Sequence, residues 1–147
     1  MTTMSSQVIL GTIGEIYYQA LFGGFLSYDK YDSEKDLVQA DGRTVELKVQ
    51  SRFRGHNAFA VNSANETNLA KCLIVDRLIF IEYSLSDIII IYDCVDRRSV
   101  FTSTTEDGRR MKCWPIDQME ILKKVRHPKL AEIMRNFSNS KTLGHFE

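Results

Sequence analysis

Proline is scarce in this chain of 147 residues: it occurs only as Pro115 and Pro128. Both sit at or near expected helix starts, where a missing backbone N–H costs little. Cysteine is scarce as well. Cys72, Cys94 and Cys113 are odd in number and far apart, and none forms a C-x-x-C pair. That argues against a zinc ribbon and against a disulfide framework, and for reduced thiols. No run of eighteen apolar residues occurs, so no membrane-spanning helix is expected. The opening "MTTMSSQ" lacks a basic segment followed by an apolar run, so no secretory leader is expected either. These absences together predict a cytoplasmic protein, of a cell or of a phage inside its host. No glycine-rich phosphate loop follows a strand, which argues against a doubly wound nucleotide-binding fold.

Net charge is also absent, since 19 basic residues balance 19 acidic ones. The balance hides an asymmetry. Residues 1–41 hold two basic and six acidic groups, residues 42–108 eight and nine, and residues 109–147 nine and four. An acidic and a basic end can divide the handling of metal and phosphate, although a mixed surface is the ordinary state of a small domain. With 44% apolar residues the chain has enough material for one core and one domain over residues 1–147.

Along the chain, "QVILGTIGEIYYQALFGGF" reads as a helix, with Ile9, Ile13, Ile16, Tyr17, Ala20 and Leu21 at helical spacing and Gly23-Gly24 as its end. "LSYDKYDS" reads as a short strand, and "KDLVQADGRTVELKVQSR" as two strands around a turn at Asp41-Gly42. "FRGHNAFAVNSANETN" reads as a long polar loop before a short helix around "NETNLAKCL". "DRLIFIEY" and "DIIIIYDC" are short and rich in β-branched residues, as central strands are. "RRSVFTST" adds a further strand. "PIDQMEILKKV" and "PKLAEIMRNF" read as two helices broken at "RHP". The expectation is a mixed α/β sandwich around one sheet. Ile116, Met119, Leu122, Leu130, Ile133, Met134 and Phe137 supply core or subunit interface, Tyr17 and Tyr18 pack, and Trp114 anchors the terminal helices.

The stretch "VELKVQSR" poses the functional question. Val45, Leu47 and Val49 point one way, and Glu46, Lys48 and Gln50 the other. The turn decides what meets the second face. A two-residue loop at Asp41-Gly42 sets Asp36 opposite Leu47. A three-residue loop, with Gly42 left-handed in a bulge, pairs Gln39 with Arg43 and sets Asp36 opposite Glu46. The residues allow both. The second gathers Asp36, Glu46 and Lys48 on one face. Two carboxylates beside a lysine suit magnesium, a hard cation that polarises phosphate oxygens and acidifies bound water. The lysine, expected to face an open site, could hold the attacking water, with Gln50 orienting it.

The pattern Glu15 … Asp36 … Glu46-x-Lys48, with Gln50 after it, resembles the PD-(D/E)XK nuclease superfamily. "GTIGE" and "KDLV" before "VELKVQ" look like its homing-endonuclease and Holliday-junction-resolvase branch. Lys35 stands where the motif's name has proline. The resemblance covers residues 11–94. It implies a restriction-endonuclease-like α/β core over about residues 6–102, a central mixed β-sheet flanked by helices. It leaves residues 103–147 as a C-terminal helical extension. It implies magnesium, with manganese able to substitute, held by Asp36, Glu46 and the Leu47 carbonyl. Lys48 would position water, and Glu15 would bind a second metal or its water. It also implies a double-stranded DNA substrate and a homodimer or homotetramer. Within the superfamily the reading is a site-specific endonuclease, with a junction resolvase or a non-catalytic DNA-binding protein as alternatives.

Each element of the pattern has a plainer reading. Thr12 and Glu15 form a Thr-x-x-Glu capping box. Glu46 and Lys48 can be a solvated strand face. Arg52, Arg54, His56 and Asn57 offer groups for DNA phosphates or bases, or simply form a wet loop. Lys123, Lys124 and Arg126, with Lys129 and Arg135, form a basic cluster that either tracks DNA or is the wet side of two helices. His127 and His145 lack metal-ligand spacing.

Overall fold

Two runs of apolar, largely β-branched residues set the middle of the molecule. β5 (Arg77–Leu85) carries Leu78, Ile79, Phe80 and Ile81, all fully buried, and β6 (Ile88–Asp93) is buried over most of its length. The computed structural model describes residues 6–26, 37–53, 56–63 and 66–144. Before these strands come α1 (Ser6–Phe22), β1 (Phe25–Leu26), β2 (Leu37–Val38), β3 (Thr44–Gln50), β4 (Ala58–Asn62) and α2 (Glu66–Ile74). After them come β7 (Phe101–Thr104), β8 (Arg110–Pro115), a 3-10 turn at Ile116–Gln118, β9 (Glu120–Arg126) and α3 (Pro128–Gly144).

Six strands form a mixed sheet in the order β1-β2-β3-β5-β6-β9. Among the described strands of this sheet only β3 and β5 run parallel. A parallel neighbour needs a crossover connection; here it carries β4 and α2. The three strands β4-β8-β7 form a second, antiparallel sheet. The expected single sheet is therefore two.

The main sheet separates two cores. On one face α1 and α3 bury Leu10, Tyr18, Ala131 and Met134 against Val45, Leu47, Ile79, Ile81, Ile89 and Ile91. Gly14 makes the closest approach: a Cβ there would stand 2.2 Å from Cγ2 of Val49. Glycine costs helix stability, so its place inside α1 reflects this contact with β3. On the other face the small sheet packs through Phe59, Val61 and Trp114 onto Leu78, Phe80, Ile90 and Tyr92. Phe59 stacks on Phe80 with ring centroids 4.9 Å apart. Arg97 closes this side by donating to the carbonyls of Cys72, Val75 and Asp76 at the end of α2.

Several expectations are corrected. Residues 58–62 of the expected polar loop form β4, buried from Ala58 to Val61. The expected helix at 115–125 is a 3-10 turn followed by β9, an edge strand of the main sheet. A C-terminal helical extension over 103–147 is therefore wrong for residues up to 126: β8 and β9 belong to the two sheets, and only α3 is helical. α3 packs into the first core. Trp114 belongs to the second core and donates its ring N–H to the Arg97 carbonyl at 3.1 Å, so it does not anchor the terminal helix. Thr12 lies inside α1 and donates its hydroxyl to the Val8 carbonyl at 2.9 Å, so it is no N-cap and no capping box explains Glu15. The expected strand at 26–33 lies mostly outside the described residues. Among the described helices none is long and apolar enough to cross a membrane.

Candidate active site

The hairpin before the motif strand adopts the three-residue loop. The Gln39 N–H donates to the Arg43 carbonyl at 2.8 Å, and the Gly42 N–H donates to the Gln39 carbonyl at 2.9 Å. Gly42 has φ +87°, the left-handed conformation that glycine adopts without a Cβ penalty. Asp41 fixes the loop by accepting from the Arg43 backbone N–H and guanidinium, contacts that hold its carboxyl below the usual range. Leu37 then pairs with Val45, and Val38 with Thr44. This is the register in which Asp36 was expected to meet Glu46. Asp36 itself lies outside the described residues, as does Arg54.

Alternation along β3 sends Val45, Leu47 and Val49 into the helix-covered core and Glu46, Lys48 and Gln50 to the other face. Glu46 is only 1% exposed. The Nζ of Lys48 stands 2.8 Å from its Oε2. A second ammonium, from Lys71 on α2, stands 3.4 Å from its Oε1. Two lysines thus flank one buried carboxylate, one against each oxygen, and the trio carries a net positive charge. The side chain of Lys48 is 18% exposed, so it does not face the open site expected of it. The face is roofed by α2, the expected short helix, which brings Lys71 to Glu46, and by β4, which was expected to be loop and is tied to Gln50.

Gln50 has a different partner from the one expected. Its Nε2 donates to the Ala60 carbonyl at 3.1 Å, and the Ala60 N–H donates to its Oε1 at 2.8 Å. The amide thereby ties β3 to the small sheet. Leu47 pairs with Ile79 across the parallel ladder. Glu15 is half-buried on α1, and that helix covers the opposite face of β3 from Glu46 and Lys48.

A second buried acid shares the face of Glu46. Glu82 is fully buried and pairs in register with Gln50. Arg52 Nε donates to its Oε2 at 2.6 Å, and the Tyr92 hydroxyl donates to its Oε1 at 2.9 Å. Burial, and then the bond to Glu82, push the Tyr92 phenol up to about 12. Arg52 also donates to Asn57 Oδ1 at 2.6 Å. Arg52 and Asn57, expected as DNA contacts, are thus engaged with each other and with Glu82. His56 is exposed and lies near Phe53 and Phe101, with ring centroids 5.3 Å away in each case.

The basic cluster is split between two elements. Lys123, Lys124 and Arg126 are exposed on β9, and Lys129 and Arg135 are on α3. Arg126 lies 3.1 Å from Asp87, and Arg135 donates to the Ser86 carbonyl. Two strands separate β9 from β3, which puts the cluster about 14 Å from the Glu46 strand at the usual interstrand spacing. The cysteines are all free and buried, and burial pushes the Cys94 thiol up to about 12, which suits packing rather than nucleophilic chemistry.

The sequence reading missed Lys71, Glu82 and the role of Tyr92. Glu82 had a signal: it is the lone acid in the apolar run "IFIEY". Lys71 had none, because it sits on a short polar helix whose packing decides which side is inside. Among the described residues no group of three His, Cys, Asp or Glu side chains stands together to hold a metal ion. Glu46 offers two hard oxygens that suit a divalent cation, and Asp36, the expected second carboxylate, lies beyond the described set. The sequence matches no protein-family model, and no curated protein matches it.

Proposed function

We propose that the chain is a magnesium-dependent DNA endonuclease of the PD-(D/E)XK type, acting site-specifically on double-stranded DNA. The observation that carries this reading is the Glu46–Lys48 pair. The two side chains leave one face of β3 in direct contact, on a strand that follows a hairpin in the expected register. The element order also supports the reading as far as the expected layout went: a first helix, two short strands and then the motif strand.

In this reading Asp36, Glu46 and the Leu47 carbonyl hold magnesium. The bound ion polarises the scissile phosphate and lowers the pKa of a water molecule. Lys48 positions that water for in-line attack. The 2.8 Å contact with Glu46 sets where the Lys48 ammonium stands, which aids orientation. Glu15 stands on the helix that covers the opposite face of β3, so the proposal gives it no part at the Glu46 site. Cutting both strands needs two such sites, so a homodimer or homotetramer belongs to the proposal. The exposed basic groups of β9 and His56 are the proposed DNA contacts, whereas Arg52 serves mainly to brace Glu82.

The test is incubation of the full chain with supercoiled plasmid, a four-way junction and a genomic DNA library, with magnesium or with chelator. Magnesium-dependent cleavage of linear or supercoiled duplex is the expected result. Cleavage of the junction alone supports a resolvase instead. Binding without cleavage of any substrate rejects the enzymatic reading.

A further inference from the structure

Glu46 has one lysine more than the nuclease motif asks for. Lys71 comes from α2, a separate element. Its side chain is 11% exposed and its Nζ stands 3.4 Å from Oε1, while Lys48 occupies Oε2 at 2.8 Å. A carboxylate this deeply buried needs compensating charge when no metal is present. A divalent cation on a Glu46 oxygen would stand close to both ammonium groups, and like-charge repulsion in this buried setting favours the departure of one of them. Lys71 holds the longer contact, and a lysine is a point charge on a flexible stem rather than a rigid fork. Lys48 holds the shorter contact from the same strand.

We propose that Lys71 is the resident counter-ion of this site: it balances Glu46 in the metal-free protein and is displaced from Oε1 when a divalent cation binds. The inference rests on the proposed metal site at Glu46. Lys71 would be a positioning residue, acting through Glu46 rather than on the substrate. Its effect on metal binding has a definite sign. Its contact with Glu46 is lost on binding, so metal affinity is lower than it would be without Lys71. Replacing Lys71 with an uncharged side chain should therefore tighten binding.

The experiment is a manganese titration of the full chain without DNA, read by electron paramagnetic resonance. The proteins are wild type, Lys71→Gln, Lys71→Met, Lys71→Arg and Glu46→Gln. Circular dichroism and thermal melts select the folded variants, and Lys71→Met keeps the length of the side chain if glutamine proves disruptive. Lys71→Gln and Lys71→Met should bind manganese about three- to tenfold more tightly, as expected when a competing contact worth up to about 1.4 kcal/mol is removed. Lys71→Arg, which keeps the charge, should stay near wild type. A purely structural role would loosen the site and would not tighten it. Unchanged or weaker binding in the folded neutral variants, with wild-type binding abolished by Glu46→Gln, overturns the role of Lys71 and leaves the metal site standing. Wild-type manganese binding that Glu46→Gln does not change overturns both.

Discussion

Glu46 and Glu82 lie on the same face of the same sheet, and both are buried. Glu82 pairs in register with Gln50, four residues along β3 from Glu46, or about 13 Å at the usual rise. Their partners differ in kind. Glu82 is gripped by the guanidinium of Arg52 and by the Tyr92 hydroxyl, and Arg52 is itself fixed by Asn57. Those donors have planar or rigid geometry. Glu46 is flanked by Lys48 and Lys71, two ammonium groups on flexible stems. A buried acid in a rigid fork is part of the framework. A buried acid between lysines can exchange its partners, as a metal ligand must. Burial is common to both acids; under the proposed nuclease reading it is the stiffness of the counter-ions that separates a framework acid from a metal ligand.

Substitutions can break this comparison at either acid. The largest effect is expected at the exchanging site. Lys48→Ala should lower cleavage per folded molecule by on the order of a thousandfold or more, through lost positioning of the attacking water, and should also lower the melting temperature, because it removes one of the cations paired with buried Glu46. Rate measurement on linear DNA beside a thermal melt checks both halves. Wild-type cleavage by the folded variant would remove Lys48 from the chemistry.

At the framework acid the order of effects reverses. Arg52→Ala removes a guanidinium paired with a fully buried carboxylate and should destabilise the fold by about 3 kcal/mol. Urea unfolding measures this. Cleavage per folded molecule should change far less than in Lys48→Ala, and an equal loss would mean that the two acids act as one site.

Gly14→Ala tests the support beneath the motif strand. Its Cβ would meet Val49 Cγ2 at 2.2 Å, so α1 must lift from β3 or Val49 must turn. Overpacking of this kind costs about 1–3 kcal/mol, more than the helix propensity alanine gains. A stabilised variant in the same unfolding assay would show that the contact relaxes freely.

The smallest effect concerns Tyr92. Tyr92→Phe should cost about 1 kcal/mol at neutral pH through the lost hydrogen bond to Glu82. The larger signature is in alkali. The folded phenol titrates at about 12, raised from 10.0. A raised folded value means that this stabilisation is complete below pH 10 and is lost as pH rises towards 12, where the unfolded chain releases its proton first. Stability of the wild type should therefore fall more steeply than that of Tyr92→Phe across that window. Parallel pH profiles of the two proteins would contradict this.

The Glu46 half of the comparison was partly legible from residues close together in sequence. Asp41-Gly42 narrowed the hairpin to two registers, since a glycine can take the left-handed position in either loop, and the backbone hydrogen bonds decide for the three-residue one. The alternation of "VELKVQ" placed Glu46 and Lys48 on one face. The unread parts depended on distant contacts. β4 was hidden because "AFAVN" is short, carries two alanines and is flanked by turn residues; its burial comes from Trp114 and Phe80, far along the chain. β9 was mistaken for a helix because Leu122 and Val125, three apart, face one core. The register of β6 and β9 shifts between Ile91 and Tyr92, and such a bulge breaks the two-residue alternation. Lys71 could be placed against Glu46 only once α2 had been docked.

Crystals soaked in manganese and measured for anomalous scattering test the distinction between the two acids most directly. The account predicts a peak about 2.1 Å from a Glu46 carboxylate oxygen, with Lys71 turned away, and no peak at Glu82. A peak at Glu82 instead, or manganese bound only on the outer surface while Glu46 keeps both lysines, would contradict it.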